Sequence, residues 1–328
     1  MSTFFLLFLP VIVPILGGFG VFIIRFQNRT ARQIYVGAVV IVNMILSLVA
    51  IFVAPKGQTV TLIPFTENYS IALRLDGMAV FFGFILCTLW VVATFYSFEY
   101  MKHEGKEKRY FGFAVMTVGV LTGLSMAGNL MTMYMFYEFM TLITVPLVIH
   151  SQGRDALKAG LKYLGYSVFG AGLTLIGFFF LNSYGTGTMF TEGGVLDMAK
   201  VAGNENALLA IFLVMIIGFG CKAGMMPLQA WLPTAHPVAP APASAVLSGI
   251  ITKAGILGMI RVTFYLFNPD FLRGTWAQLT IIILALATVF VGSMLAYKEQ
   301  LLKKRLAYST VSQVSYVIFG IMILTPQG

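Results

Sequence analysis

Ten apolar runs of about twenty residues divide this chain: 3–24, 34–54, 78–98, 111–127, 130–149, 159–181, 207–231, 241–266, 276–297 and 306–324. A helix rises about 1.5 Å per residue and the hydrocarbon core of a bilayer is about 30 Å thick, so each run has the length of one crossing. A soluble fold cannot hide ten such segments, because its surface demands a polar shell. Composition agrees: 59% of the 328 residues are hydrophobic and only 10% charged, against roughly a quarter charged in soluble domains. The reading is an all-α, polytopic membrane helix bundle with about ten transmembrane helices. It excludes a soluble enzyme, a secreted disulfide scaffold and a disordered chain. The first run has no basic start or cleavage site and leads straight into Arg25, so it reads as a retained helix.

The net charge of +9 raises the question of nucleic acid, and the positions of the 21 basic residues answer it. Arg25, Arg29, Arg32, Lys102, Lys106, Lys108, Arg109, Arg154, Lys158, Lys162, Lys298, Lys303, Lys304 and Arg305 fall in or beside odd-numbered loops. Only Lys56, Arg74, Lys200 and Arg273 fall on the other side. Fourteen against four is a positive-inside bias, which predicts a cytoplasmic basic face and an external N-terminus. The charge encodes topology, and no nucleic-acid partner is expected. Outside the bilayer, the alternation Tyr69-Ser-Ile-Ala-Leu-Arg-Leu75 within 58–76 predicts a strand or hairpin. The polar connection 182–206 has room for a short helix.

Charge inside the spans is costly, by about 2.5–3.5 kcal/mol per group even on lenient scales. Glu138 lies about 12 Å into the fifth span and Lys253 about 18 Å into the eighth, at 1.5 Å per residue. Lys222 sits near the middle of the seventh, followed by Ala-Gly-Met-Met-Pro227. Proline removes a helical donor, so a break or kink is predicted between Lys222 and Trp231. Broken helices at this depth recur at ion-conducting sites, where freed backbone groups need water or side chains. One alternative is a Glu–Lys pair that only fixes packing. Two lysines and one glutamate leave at least one lysine without a carboxylate from this trio. A buried lysine loses affinity for its proton and a neighbouring carboxylate restores it, so a lysine that gains and loses such a partner can load and release a proton. Ser244, Ser248 and Thr252 form a stripe at four-residue spacing beside Lys253; they either hold water or bond to the preceding turn.

The remaining polar residues carry less. His103 and His150 read as interfacial, and Arg261 as a snorkelling residue near the external end of its helix. His236, in Leu232-Pro-Thr-Ala-His-Pro237, is either a structural cap or a proton relay. Cys87 and Cys221 form no paired motif, so zinc and iron–sulfur centres lack ligands. No phosphate-binding glycine loop is present. Neither a cofactor nor a metal is expected.

The stretch Cys221-Lys-Ala-Gly-Met-Met-Pro-Leu-Gln-Ala-Trp-Leu-Pro-Thr-Ala-His-Pro-Val-Ala-Pro240, continuing through Ser244-Ala-Val-Leu-Ser-Gly-Ile-Ile-Thr-Lys253-Ala-Gly to Arg261, resembles the signature of antiporter-like membrane subunits. Such subunits occur in respiratory complex I, in multisubunit cation/proton antiporters and in membrane-bound hydrogenases. Asp76-Gly77, Tyr137-Glu138-Phe139, Lys162-Tyr163 and Lys304-Arg-Leu-Ala-Tyr-Ser-Thr-Val-Ser-Gln313 extend the resemblance along the chain. The resemblance implies an ion pair between Glu138 and Lys222, with Lys253 continuing the proton path toward the centre. It also implies a non-redox subunit of a proton-translocating oxidoreductase of the NADH:quinone or hydrogenase type. Its partners are then other membrane subunits, the lipid bilayer, and protons or sodium, in a bacterial or archaeal cell membrane.

The family pattern departs here in two places. Gln229 stands where the family usually has His, and Gln does not titrate. The family core has two inverted repeats in about fourteen helices, whereas this chain has room for about ten. The expected organisation is an N-terminal three-helix region with the hairpin over 1–110, a complete first repeat over 111–266, and the start of a second repeat over 267–328. That predicts a fragment or a split subunit, with sequence beyond Gly328 or a second chain supplying the rest. The competing readings are a cation/proton antiporter subunit, a solitary substrate transporter and a non-pumping structural subunit. A substrate transporter needs a polar pocket at the helix break, and Met225, Met226 and Pro227 argue against one.

Overall fold

The computed structural model describes residues 2–66 and 69–325. Helices dominate: α1 (Thr3–Ile23), α2 (Arg29–Val53), α3 (Gly77–Glu104), α4 (Glu107–Ser125), α5 (Leu130–Val148), α6 (Arg154–Tyr184), α7 (Met198–Val201), α8 (Glu205–Ala223), α9 (Leu232–Val238), α10 (Ala241–Leu266), α11 (Pro269–Leu272), α12 (Trp276–Lys298) and α13 (Leu302–Ile323). Their starts follow local chemistry. The side chains of Asn28, Asp76 and Asn129 accept from the amides of Ala31, Ala79 and Thr132, occupying donors that the first turn leaves open.

Among the described residues nine helices are long and apolar enough to cross a membrane. The fourth expected run, 111–127, falls on α4, which does not qualify. It opens on Glu107-Lys108-Arg109 and is rich in Gly and Thr. Every residue from Val115 to Ser125 is buried. That charged first turn, in a helix of 19 residues, separates α4 from the other nine.

The chain forms two compact units. The first comprises 1–161 and 238–250. In it α1 and α4 pack at glycines: a Cβ on Gly119 would stand 2.6 Å from the Val11 carbonyl, and one on Gly18 2.7 Å from the Gly112 carbonyl. Small residues at such crossings let helix backbones approach. Pro14 inside α1 has no amide for the Pro10 carbonyl; Asn43 of α2 donates to it at 2.7 Å. The expected hairpin is present as β1 (Thr59–Pro64) and β2 (Ser70–Arg74), antiparallel. Its Glu67 and Asn68 lie outside the described residues. It is tied to the start of α5, where Thr132 Oγ1 accepts from the Ala72 amide at 2.9 Å and Asn129 donates to the Ser70 carbonyl at 2.9 Å.

The second unit comprises 162–237 and 251–328. In it α6 and α8 meet glycine to glycine: a Cβ on Gly170 would lie 2.5 Å from the Gly218 carbonyl, and one on Gly218 2.6 Å from the Gly170 carbonyl. The later part of α10 packs on α8 through Gly255 and Gly258. Helices α12 and α13 form a hairpin, with the Ser293 and Ser312 hydroxyls 2.9 Å apart. The connection 185–204 contains α7, the short helix foreseen there. Pro326 to Gly328, where the sequence stops, lie outside the described residues.

Candidate functional site: a buried lysine at a helix break

Helix α8 ends one residue after Lys222. Gly224 adopts φ +84°, a left-handed conformation that closes the helix, and its amide donates to the Gly220 carbonyl at 2.8 Å. The chain then turns through Met225–Leu228, with a cis Met226–Pro227 peptide, into a 3-10 turn (Gln229–Trp231) and α9. The predicted break lies where the prolines put it.

A break inside an apolar bundle frees backbone groups, and each must find a partner. The Met225 amide turns back to the Gly220 carbonyl (2.9 Å), and the Met226 amide donates to Thr288 Oγ1 of α12 (3.0 Å). The Cys221 carbonyl, directly before Lys222, accepts from the Trp231 indole at 2.7 Å. The break is therefore bonded on both flanks and held to one shape.

Lys222 is completely buried. Its ammonium donates to Tyr163 Oη at 2.8 Å and to Ser167 Oγ at 3.1 Å, both on α6. It also lies 4.5 Å from the centre of the Tyr163 ring, within cation–π range. The Tyr163 ring packs against Trp231 with centroids 4.8 Å apart. The α6–α8 glycine contact accounts for this arrangement. Lys222 lies one turn from Gly218 on α8, and Ser167 and Tyr163 lie about one and two turns from Gly170 on α6.

The other expected residues lie as follows. His236, on α9, is buried; Lys253 of α10 and Lys303 of α13 are close enough for their charges to act on it. Lys253 is half-buried and lies two residues after the end of a π-helical turn, Leu247–Ile251. Glu138, in the first unit, is half-buried on α5 between buried Tyr137 and exposed Phe139. Gln229 opens the 3-10 turn and has a buried Oε1. Lys162 donates to Thr234 Oγ1 of α9 at 3.1 Å, tying the segment after the break to α6. In the sequence Tyr163 stands out only within the Lys162-Tyr163 motif, without a role, and Ser167 does not stand out. Their four-residue spacing on one face of an apolar helix is the signal that links them.

Arg261 does not snorkel. It is 1% exposed and stacks over Phe190 and Tyr265, its guanidinium carbon 5.1 and 4.6 Å from their ring centres. Cys87 and Cys221 are buried and unbridged.

Nine apolar helices of membrane-crossing length among the described residues, with a lysine enclosed at a helix break, define a polytopic integral membrane protein. A family model described as NADH:quinone oxidoreductase/Mrp antiporter, transmembrane, matches residues 127–328, and the chain belongs to that family. Hydrogenase-4 component B of Escherichia coli is 33% identical over 260 residues, covering 78% of this chain and 37% of that protein. A Na(+)/H(+) antiporter subunit of Alkalihalophilus pseudofirmus is 28% identical over 325 residues, covering 98% of this chain and 64% of that protein. The solved Mrp complex of a Dietzia species superposes with a TM-score of 0.82 at 24% identity, over 98% of this chain and 34% of the matched chain. The chain thus spans less than two thirds of the length of these relatives.

Proposed function

We infer that this chain is a proton-translocating part of a multisubunit membrane complex of the NADH:quinone oxidoreductase or hydrogenase type, carrying no redox centre of its own. The observation that carries the reading is Lys222: a fully buried amine at a bonded helix break, in a chain of this family. Burying an ammonium costs several kcal/mol, and that cost is retained in membrane proteins chiefly where an ion pathway needs it. In this reading Glu138 and Lys222 form the switching pair, Lys253 receives the proton and His236 relays it. The first repeat then extends over 111–266, and the basic odd-numbered loops face the cytoplasm of a prokaryotic cell membrane with the N-terminus outside.

A second reading, a subunit of a cation/proton antiporter, is favoured by the length over which the Alkalihalophilus antiporter protein aligns, 98% of this chain. Both readings place the proton on the same side chains and differ in what drives it.

The test is proton uptake by vesicles carrying the native complex. Lys222→Ala and Glu138→Gln are expected to lower proton movement at least about tenfold, the loss expected when one charged step of a relay is removed, with assembly unchanged. Full coupled activity in both variants would sink the reading. Acceleration by external sodium without an electron donor would select the antiporter; dependence on a donor would select the redox-driven complex.

A further inference from the structure

Helix α6 brings two hydroxyls and an aromatic ring to Lys222. Tyr163 and Ser167 are buried, at 0% and 2% exposure. Their oxygens lie 2.8 and 3.1 Å from Lys222 Nζ. Hydroxyls differ from carboxylates in one respect that matters here. An ionised carboxylate only accepts, and so favours the charged lysine alone. A hydroxyl both donates and accepts, so it bonds the ammonium as acceptor and the neutral amine as donor. The Tyr163 ring adds attraction for the ammonium.

We propose that Tyr163 and Ser167 are positioning residues that hold the Lys222 side chain at one place in both of its protonation states. The proposal rests on the proton-translocating reading of Lys222. A flexible four-carbon stem left without such partners would wander when its charge changed, and proton exchange would lose its geometry. The cradle keeps the nitrogen fixed while the proton leaves and returns. Tyr163 is itself fixed, because its ring packs on Trp231 and Trp231 is bonded to the carbonyl preceding Lys222. The shape of the helix break and the position of the amine are thereby set by one connected group of side chains.

The experiment compares Tyr163→Phe, Ser167→Ala and the double variant in vesicles of the native complex, reading the rate of proton movement and its solvent hydrogen isotope effect. Tyr163→Phe keeps the ring and its packing and removes only the hydroxyl. It should slow transport about tenfold, as expected for one hydrogen bond to a charged group. Ser167→Ala should slow it about threefold, its bond being longer, and the double variant should approach Lys222→Ala. The isotope effect should rise in each, because proton transfer at Lys222 becomes the slow step. Full rates overturn the proposal, and so does a lowered rate with an unchanged isotope effect, which marks a merely structural loss. If Tyr163→Phe does not assemble, Ser167→Ala, the smaller change, carries the test alone. If Lys222→Ala itself pumps normally, the functional reading falls. If Lys222→Ala is inactive while the hydroxyl variants are normal, only the cradle falls.

Discussion

The indole N–H of Trp231 donates to the carbonyl of Cys221 at 2.7 Å, joining the turn after the helix break to the last turn before it. Helix ends leave their final carbonyls without intrahelical donors, and a bilayer interior supplies no free water to replace them. Trp231 fills that role and supports the ring of Tyr163. Its side chain is therefore structural at one end and part of the lysine's surroundings at the other.

Replacing Trp231 by Phe keeps an aromatic body and removes the donor. The Cys221 carbonyl is then left wanting in a buried position, a loss of about 1–3 kcal/mol. The thermal midpoint of the purified complex should fall, and proton movement should slow with it. An unchanged midpoint would mean that another donor takes over the carbonyl.

The contact between Gly170 and Gly218 yields a sharper comparison, because α6 contains its own control. A Cβ on Gly170 meets the Gly218 carbonyl at 2.5 Å and the Cys221 side chain at 2.6 Å, whereas one on Gly172 meets nothing within 4 Å. Gly170→Ala should force the helices apart at a cost of about 1–3 kcal/mol. Gly172→Ala should be neutral or stabilising by up to about 1 kcal/mol, the ordinary helix preference for alanine. Equal midpoints for the two variants would show that the α6–α8 crossing yields easily.

Asn43 and Pro14 should be coupled. Asn43→Leu leaves the Pro10 carbonyl without its 2.7 Å donor, at an expected cost of about 1–3 kcal/mol. Pro14→Ala restores an amide that can reach that carbonyl within α1, so Asn43→Leu should cost much less in that background. A double-mutant cycle on the thermal midpoint measures the coupling, and additivity would refute this account of the asparagine.

The spans and the helix break are legible in the sequence because both depend on local chemistry: apolar runs, and Gly224 and Pro227 within a few residues of Lys222. The lysine's hydroxyl partners are not, since they stand 59 and 55 residues away along the chain. Nothing in a hydropathy profile links α6 to α8; the link is the paired glycines. The Ser244–Ser248–Thr252 stripe assumes regular helical spacing, and the π-helical turn at Leu247–Ile251 departs from it. Arg261 misleads for a similar reason. Its aromatic cover includes Phe190, from a distant loop whose path the local sequence does not reveal.

That loop supports the last prediction. The amides of Thr191, Gly193 and Val195 donate to the carbonyls of Tyr265, Phe264 and Leu266 at 3.3, 3.1 and 3.0 Å. These carbonyls belong to the end of α10, where intrahelical donors run out. The segment therefore works as a strap across the helix end, beside the ring that covers Arg261. Gly194 allows the close approach: its φ is +93°, and a Cβ there would stand 2.9 Å from the backbone of Phe267. Gly194→Ala adds about 1–2 kcal/mol of backbone strain to that clash. Hydrogen exchange at the Thr191, Gly193 and Val195 amides should accelerate markedly, while amides inside α8 keep their protection. Unchanged exchange at all three strap amides would show that the strap does not depend on the glycine.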